Sequence, residues 1–200
     1  WFEPPPRPVR EDFEALAAGG MVPGATTTEE APFTARVSDE QVASGTRSLK
    51  FIDGPEQKHA FNPHVFYRQT FPSGPLVGRF ALRVAPESEF YYQWRQYEGG
   101  TFARGPGVRV NPGGRLVHED RELMTIPTDA WVRIEVAAEL GEGRGRSFAL
   151  KVELPDGTVR TFPGLACEAG FDRLDWVGFV AVANHACVTY VDDILVAPAE

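Results

Sequence analysis

Near its end the chain reads TYVDDILV (189–196), and the adjacent carboxylates of Asp192 and Asp193 are the first groups that could do chemistry. Neighbouring side chains of an extended strand point to opposite faces, so one of the two is expected to face an apolar interior. A carboxylate buried without a partner costs several kcal/mol, and the valine, isoleucine and leucine beside it offer none. Such a strand calls for a metal ion or a compensating charge, or else for a place at an exposed edge where charge blocks aggregation.

A second chemistry-bearing stretch is FYYQWRQY (90–97). Alternation puts Phe90, Tyr92 and Trp94 on one side and Tyr91, Gln93, Arg95 and Tyr97 on the other. The first set is core. The second offers aromatic faces for the apolar side of a sugar ring and planar polar groups for its hydroxyls. In LVGRFALRV (76–84) the same rule separates Phe80, Leu82 and Val84 from Arg79 and Arg83. If the two strands pair, Arg79, Arg83 and Arg95 form a basic strip suited to the carboxylates or sulfates of an acidic polysaccharide, which guanidinium groups pair bidentately. The alternative is neutralisation by Glu87, Glu89 and Glu98. Further along, Val132, Ile134 and Trp176 are expected in the interior, and Trp131, of opposite parity, on the outside.

Catalytic motifs are sparse. The one dense acidic cluster, HEDRE (118–122), has Glu119 and Glu122 at opposite parity and follows a glycine turn, which suits a solvated hairpin tip better than the paired carboxylates of a glycosidase. A polysaccharide lyase would need a tyrosine or histidine base beside an arginine or amide, and Tyr91, Gln93, Arg95, His64 and Arg68 supply those types. His59 and His118 are expected at the surface, and His185 has no evident role. No nucleophile elbow, phosphate loop or HExxH occurs. Two cysteines, Cys167 and Cys187, have no metal-type spacing; they either pair in an oxidising compartment or stand as buried thiols.

A dozen short alternating segments separated by turn signals such as NPGG (111–114), ELGEGRG (139–145) and PDG (155–157) must position these groups. They predict an all-β fold, an antiparallel β-sandwich of the jelly-roll type, with FEALAAGG as the one hint of helix. Gly 20 and Pro 17 agree with many turns. The opening WFEPPPRPVR reads as a Pro-rich linker over residues 1–10, with one domain over 11–200, a module of a longer protein. A formal net charge of −8 argues against nucleic acid and anionic membranes as partners, and no apolar run is long enough to span a bilayer.

EDFEALAAG near the start, ASGTRSLKF about thirty residues later and the closing TYVDDILV together resemble the frame of extracellular jelly-roll modules. The likeness is to the concanavalin A-like and laminin-G-like group, including MAM domains and jelly-roll carbohydrate-binding modules, over roughly residues 11–196. It implies a secreted or extracellular location and a structural calcium held between the first and last strands. Carried onto this sequence, the ligands would be Asp12 or Glu14, a carbonyl near Thr46, and Asp192 or Asp193, with Glu14 and Asp193 favoured. Calcium's need for six to eight hard oxygens suits such a set. The reading that results is a noncatalytic, monomeric extracellular module that binds carbohydrate, with a polysaccharide lyase or glycoside hydrolase using the same sheet face as the alternative, and an adhesion spacer as a second alternative.

Overall fold

The computed structural model describes residues 6–199 and consists of two antiparallel sheets laid face to face. The first contains β1 (Val9–Glu11), β3 (Thr34–Ser38), β4 (Ser48–Asp53), β6 (Gly74–Val84), β11 (Val132–Leu140), β12 (Ser147–Glu153), β13 (Val159–Ala166) and β15 (Cys187–Pro198). Its order is β13-β12-β11-β6-β15-β4-β3, with β1 also on β15. The second contains β2 (Thr26–Thr28), β5 (His64–Tyr67), β7 (Phe90–Glu98), β8 (Thr101–Asn111), β9 (Arg115–His118), β10 (Arg121–Thr125) and β14 (Trp176–Ala181), in the order β10-β9-β8-β7-β14-β5-β2. The expected all-β sandwich is present. The short β1, β2 and β10 carry too little alternation to be read from sequence, and β1 begins inside the expected linker, pairing Val9 with Val196. Residues 1–5 of that linker lie outside the described residues. FEALAAGG forms turns rather than helix, with Phe13 at φ 62° and fully buried.

Between the sheets the inward residues of the longer strands form one apolar cluster. At its centre Phe80, Tyr92 and Phe179 meet with ring centroids 4.5 to 5.2 Å apart, and Trp94 Nε1–H donates to the Tyr92 hydroxyl. That contact needs a glycine opposite: a Cβ at Gly78 would lie 2.3 Å from the Tyr92 oxygen. Filling the site would cost about 1–3 kcal/mol in overpacking. Phe80, Trp94, Val132 and Ile134 are interior, and Trp131 is half-buried on the outside against Tyr190, all as alternation requires.

The closing strand departs from strict alternation. Asp193, at φ 51°, forms a bulge on β15, where pairing with β6 shifts between Asp192 and Leu195. The extra residue lets Val191 and Ile194 both reach the core, so neither aspartate faces the interior. Asp192 is buried instead on the outer side, beneath the loop at residues 43–47.

Candidate functional site

Two places gather the expected site residues, and they have different chemistry. The first is the junction of the chain ends. Asp192 Oδ2 accepts from the N–H groups of Ala43 (2.9 Å) and Ser44 (3.3 Å), and its Oδ1 accepts from Asp193 N–H (2.8 Å). Asp193 accepts from the Ser44 hydroxyl (2.7 Å) and from Arg133 (3.1 Å). Glu14 accepts from Thr46 N–H (2.8 Å), Thr46 Oγ1 (2.9 Å) and Arg47 N–H (2.8 Å), and the first of these bonds leads in holding its carboxyl below the usual range. Asp12 accepts from Glu14 N–H (3.1 Å).

The partner that Asp192 needs is thus a set of backbone amides. Their help is outweighed by burial, which pushes its carboxyl up to about 6. As a calcium set these residues do not fit. The lone pairs of Glu14, Asp192 and Asp193 are turned onto N–H and O–H donors, whose positive ends a cation would have to displace, and the Thr46 region contributes its amide and hydroxyl to Glu14 rather than a carbonyl. Among the described residues no three His, Cys, Asp or Glu side chains come together as a metal set.

The second place is the outward face of the second sheet. Tyr91, Gln93, Arg95 and Tyr97 line up on β7 and are all half-buried. Arg95 Nε–H donates to Gln93 Oε1 (2.9 Å), and its terminal nitrogens donate to the hydroxyls of Tyr91 (3.2 Å) and Tyr97 (3.4 Å). Its guanidinium lies 4.1 Å from the Trp176 ring centroid on one side and 4.3 Å from that of Phe102 on the other. Five N–H groups less these three leave one on each terminal nitrogen, the geometry that pairs with a carboxylate.

Around Arg95 the face is aromatic. Trp176 sits opposite it on β14, buried with Phe66 and Val180 in a small cluster separate from the main core. The expectation of Trp176 in the interior is therefore corrected: it is buried, but at β-parity with Arg95, on the outer face. Arg68 lies over the rings of Phe66 and Tyr97 at 5.5 and 5.8 Å. His64, on the same face, stacks on Phe66 and contacts the Thr28 hydroxyl. Burial, assisted by the charge of Arg95, pushes its imidazole down to about 4, so it is neutral at neutral pH. Arg95 and Arg68 make no ion pair among the described residues, whereas Arg104 pairs with Glu168 and Arg109 with Glu89.

Arg79 and Arg83 do not join this face. They lie on β6 in the other sheet, where Arg79 pairs with Glu135 (2.5 Å) and Arg83 with Asp129 (3.5 Å). The expected basic strip fails because β6 and β7, consecutive in sequence, belong to different sheets. Trp176, Phe66, Phe102 and Arg109 were missed by sequence reasoning. Phe102 and Arg109 are of opposite parity on β8 and reach one face only through the register shift between Gln93 and Arg95, which alternation does not reveal; Trp176 and Phe66 had no signal either, because their parity within an apolar run does not say which face is outside.

The remaining candidates are quickly placed. Glu119, at φ 51°, and Asp120 form the exposed tip of the β9–β10 hairpin, as expected for HEDRE. His118, expected at the surface, is half-buried, with Nδ1 2.9 Å from the Gly107 carbonyl and Nε2 2.9 Å from the Ala166 carbonyl. Cys167 and Cys187 are unpaired, and burial pushes their thiols up to about 12 and about 11. No helix among the described residues is long and apolar enough to cross a membrane.

No protein-family model matches the chain, and no curated protein matches it by sequence. Solved structures do. Endo-β-1,4-glucuronan lyase from the fungus Trichoderma reesei superposes with a TM-score of 0.64 at 14% identity, over 93% of this chain and 96% of that one. The cellulose induced protein Cip1 gives 0.60 at 17%, over 96% and 97%. The CBM22-1 xylan-binding domain of Paenibacillus barcinonensis Xyn10C gives 0.50 at 11%, over 96% and 95%. At these identities the likeness is one of fold, and the fold is the jelly-roll β-sandwich shared by polysaccharide lyases and carbohydrate-binding modules.

Proposed function

We propose that this chain is an extracellular carbohydrate-recognition module that binds an acidic polysaccharide on the outward face of its second sheet. The observation that carries the reading is Arg95, a guanidinium fixed between Trp176 and Phe102, hydrogen-bonded only to neutral side chains and left with a free N–H on each terminal nitrogen. A uronate carboxylate satisfies those two donors in the plane, while Phe102, 44% exposed, and the tyrosines offer ring faces to the sugar. Glucuronan and alginate, on which lyases with this fold act, are uronate polymers of the expected chemical class. The test is calorimetric titration with uronate polymers and with a neutral glucan at low and high salt. Uronate binding that weakens with salt is expected. Equal, salt-insensitive binding to the neutral glucan would reject the acidic ligand.

One observation favours a lyase reading of the same face. His64 is held unprotonated, and in register it flanks Val180 on one side as Tyr91 does on the other, about two strand spacings or roughly 10 Å away. A neutral base on that face could take the proton α to a uronate carboxylate; the C–H electron pair becomes a ring double bond as the C4–O bond breaks, and the leaving oxygen takes up a proton. Incubation with uronate polymers, followed by the ultraviolet absorbance of the unsaturated product, separates the two readings. Absorbance that grows with time and disappears in His64→Gln would make the chain an enzyme.

A further inference from the structure

Behind His64 runs a chain of polar groups that decides which of its ring nitrogens carries the proton. Asn62, just before β5 and only 4% exposed, splits its amide group between two sets of partners. Its Nδ2–H donates to Glu30 Oε1 (2.8 Å), while its Oδ1 lies 2.8 Å from Thr28 Oγ1 and 3.3 Å from His64 Nδ1. Glu30 also accepts from the N–H groups of Lys58 (2.9 Å) and His59 (3.1 Å), and the Lys58 bond leads in holding its carboxyl below the usual range. A carboxylate has no proton to give, so Glu30 can meet Asn62 only through the amide nitrogen, and the Asn62 carbonyl must turn toward Thr28 and His64.

The protons available there are few. Thr28 Oγ1, Asn62 Oδ1 and His64 Nδ1 are in mutual contact, the remaining distance being 2.5 Å from Thr28 Oγ1 to Nδ1. The carbonyl brings no proton and the hydroxyl brings one. With Nδ1 bare, that one proton would serve three contacts, and the Nδ1 lone pair would face a carbonyl oxygen. With Nδ1 protonated, Thr28 Oγ1–H donates to Asn62 Oδ1 and Nδ1–H donates to the two oxygens, so every contact is satisfied. Burial keeps the ring neutral against the opposing effect of the Phe61 carbonyl, and Nε2 therefore carries no proton. The one polar neighbour of Nε2 among the described residues is Thr28 Oγ1 at 3.4 Å, whose proton is already given to Asn62.

We infer that Glu30 and Asn62 are positioning residues for His64: they hold its proton on Nδ1 and leave Nε2 as the bare nitrogen offered to the ligand on the outer face. In the lyase reading Nε2 is then the atom that takes the proton α to the uronate carboxylate, and Asn62 Oδ1 goes on accepting from Nδ1–H in the imidazolium so formed. That use of Nε2 rests on the uronate reading of this face; the tautomer does not.

The experiment is heteronuclear NMR of the protein with isotope-labelled histidine at neutral pH, the His64 ring being assigned by the signals that His64→Gln removes. The ring-nitrogen shifts of the wild type should show His64 protonated on Nδ1 alone. In Asn62→Leu the Thr28 proton is released to Nδ1, and the ring should change to the Nε2–H form. In Glu30→Ala the Asn62 amide is free to turn, and the two forms should mix. A wild-type Nε2–H or doubly protonated ring, or an unchanged Nδ1–H form in either variant, would overturn the inference. Should Asn62→Leu not fold, the wild-type spectrum and Glu30→Ala decide. Adding uronate trimers prepared from glucuronan and from alginate, with binding followed in parallel by calorimetry, should move the Nε2 resonance. Binding that leaves Nε2 unmoved would overturn its being offered to the ligand. No binding of either trimer would overturn the uronate reading and leave the tautomer standing.

Discussion

The outward faces of the two sheets treat the arginines at their centres differently. On the first sheet Arg79 faces Glu135 directly across the β6–β11 pair, Arg83 reaches Asp129, and Arg133 reaches Asp193, as Arg104 and Arg109 at the edge of the second sheet reach Glu168 and Glu89. On the second, Arg95 faces Trp176 across the β7–β14 pair and is capped by Phe102. Exposed ion pairs contribute about 0–1 kcal/mol, so the first face is an ordinary solvated one. A guanidinium held between rings keeps its charge and its position but not its full complement of partners, and the proposed ligand site rests on that difference. The difference lies in the residue on the neighbouring strand, not in the arginine.

The largest expected effect separates two tryptophans. Trp176 lies buried beneath Arg95, while Trp131 rests half-exposed with its ring 6.5 Å from that of Tyr190 on the other face. Trp176→Ala should cost about 3–5 kcal/mol in denaturant unfolding and remove uronate binding. Trp131→Ala should cost about 1 kcal/mol and leave binding intact. Similar losses from both would erase the asymmetry between the faces.

Acidity should distinguish the regions next, because two buried groups shift in opposite directions. His64, pushed down to about 4 from 6.5, is protonated more readily in the unfolded chain, so its contribution to stability is lost as pH falls across that interval. Asp192, pushed up to about 6 from 3.8, is protonated more readily in the folded chain, so stability is gained as pH falls through its own interval. Each is on the order of 3 kcal/mol, and in the wild type they largely cancel. Melting temperatures followed from neutral to acid pH should therefore rise in His64→Gln and fall in Asp192→Asn, each relative to the wild-type profile. Profiles parallel to wild type in both variants would remove the claim that burial governs the two groups.

A smaller effect concerns the arginines themselves. The Arg95→Ala, Tyr91→Ala double variant should bind uronate at least tenfold more weakly, about 1.4 kcal/mol or more, and Arg79→Ala with Arg83→Ala should bind like wild type. If the Arg79, Arg83 variant loses binding instead, the ligand lies on the other sheet. The smallest effect is expected of a chelator. Because the carboxylates at the chain ends already accept from amides and hydroxyls, EDTA should leave the melting temperature unchanged. A clear drop, matched by Asp193→Ala, would restore the calcium that the likeness to jelly-roll modules implies.

The sequence by itself determined the class of fold and, in strands where apolar and polar residues alternate, the membership of each face. Period-two alternation in FYYQWRQY, LVGRFALRV and AWVRIEVAAEL separated buried from outward residues because a pleated strand has two sides and water wets only one. It also brought Tyr91, Gln93, Arg95 and Tyr97 together, since they share one strand and need no pairing to be neighbours. Tertiary structure decided everything that depends on another strand. Sheet assignment parted Arg79 and Arg83 from Arg95, and the β14 register put Trp176 under the guanidinium. A single bulge at Asp193 turned both aspartates away from the core and gave Asp192 to the loop at residues 43–44. Alternation is local and survives in one sequence; register and bulges follow from hydrogen bonds between segments as far apart as Val9 and Val196, and no single segment records its partner.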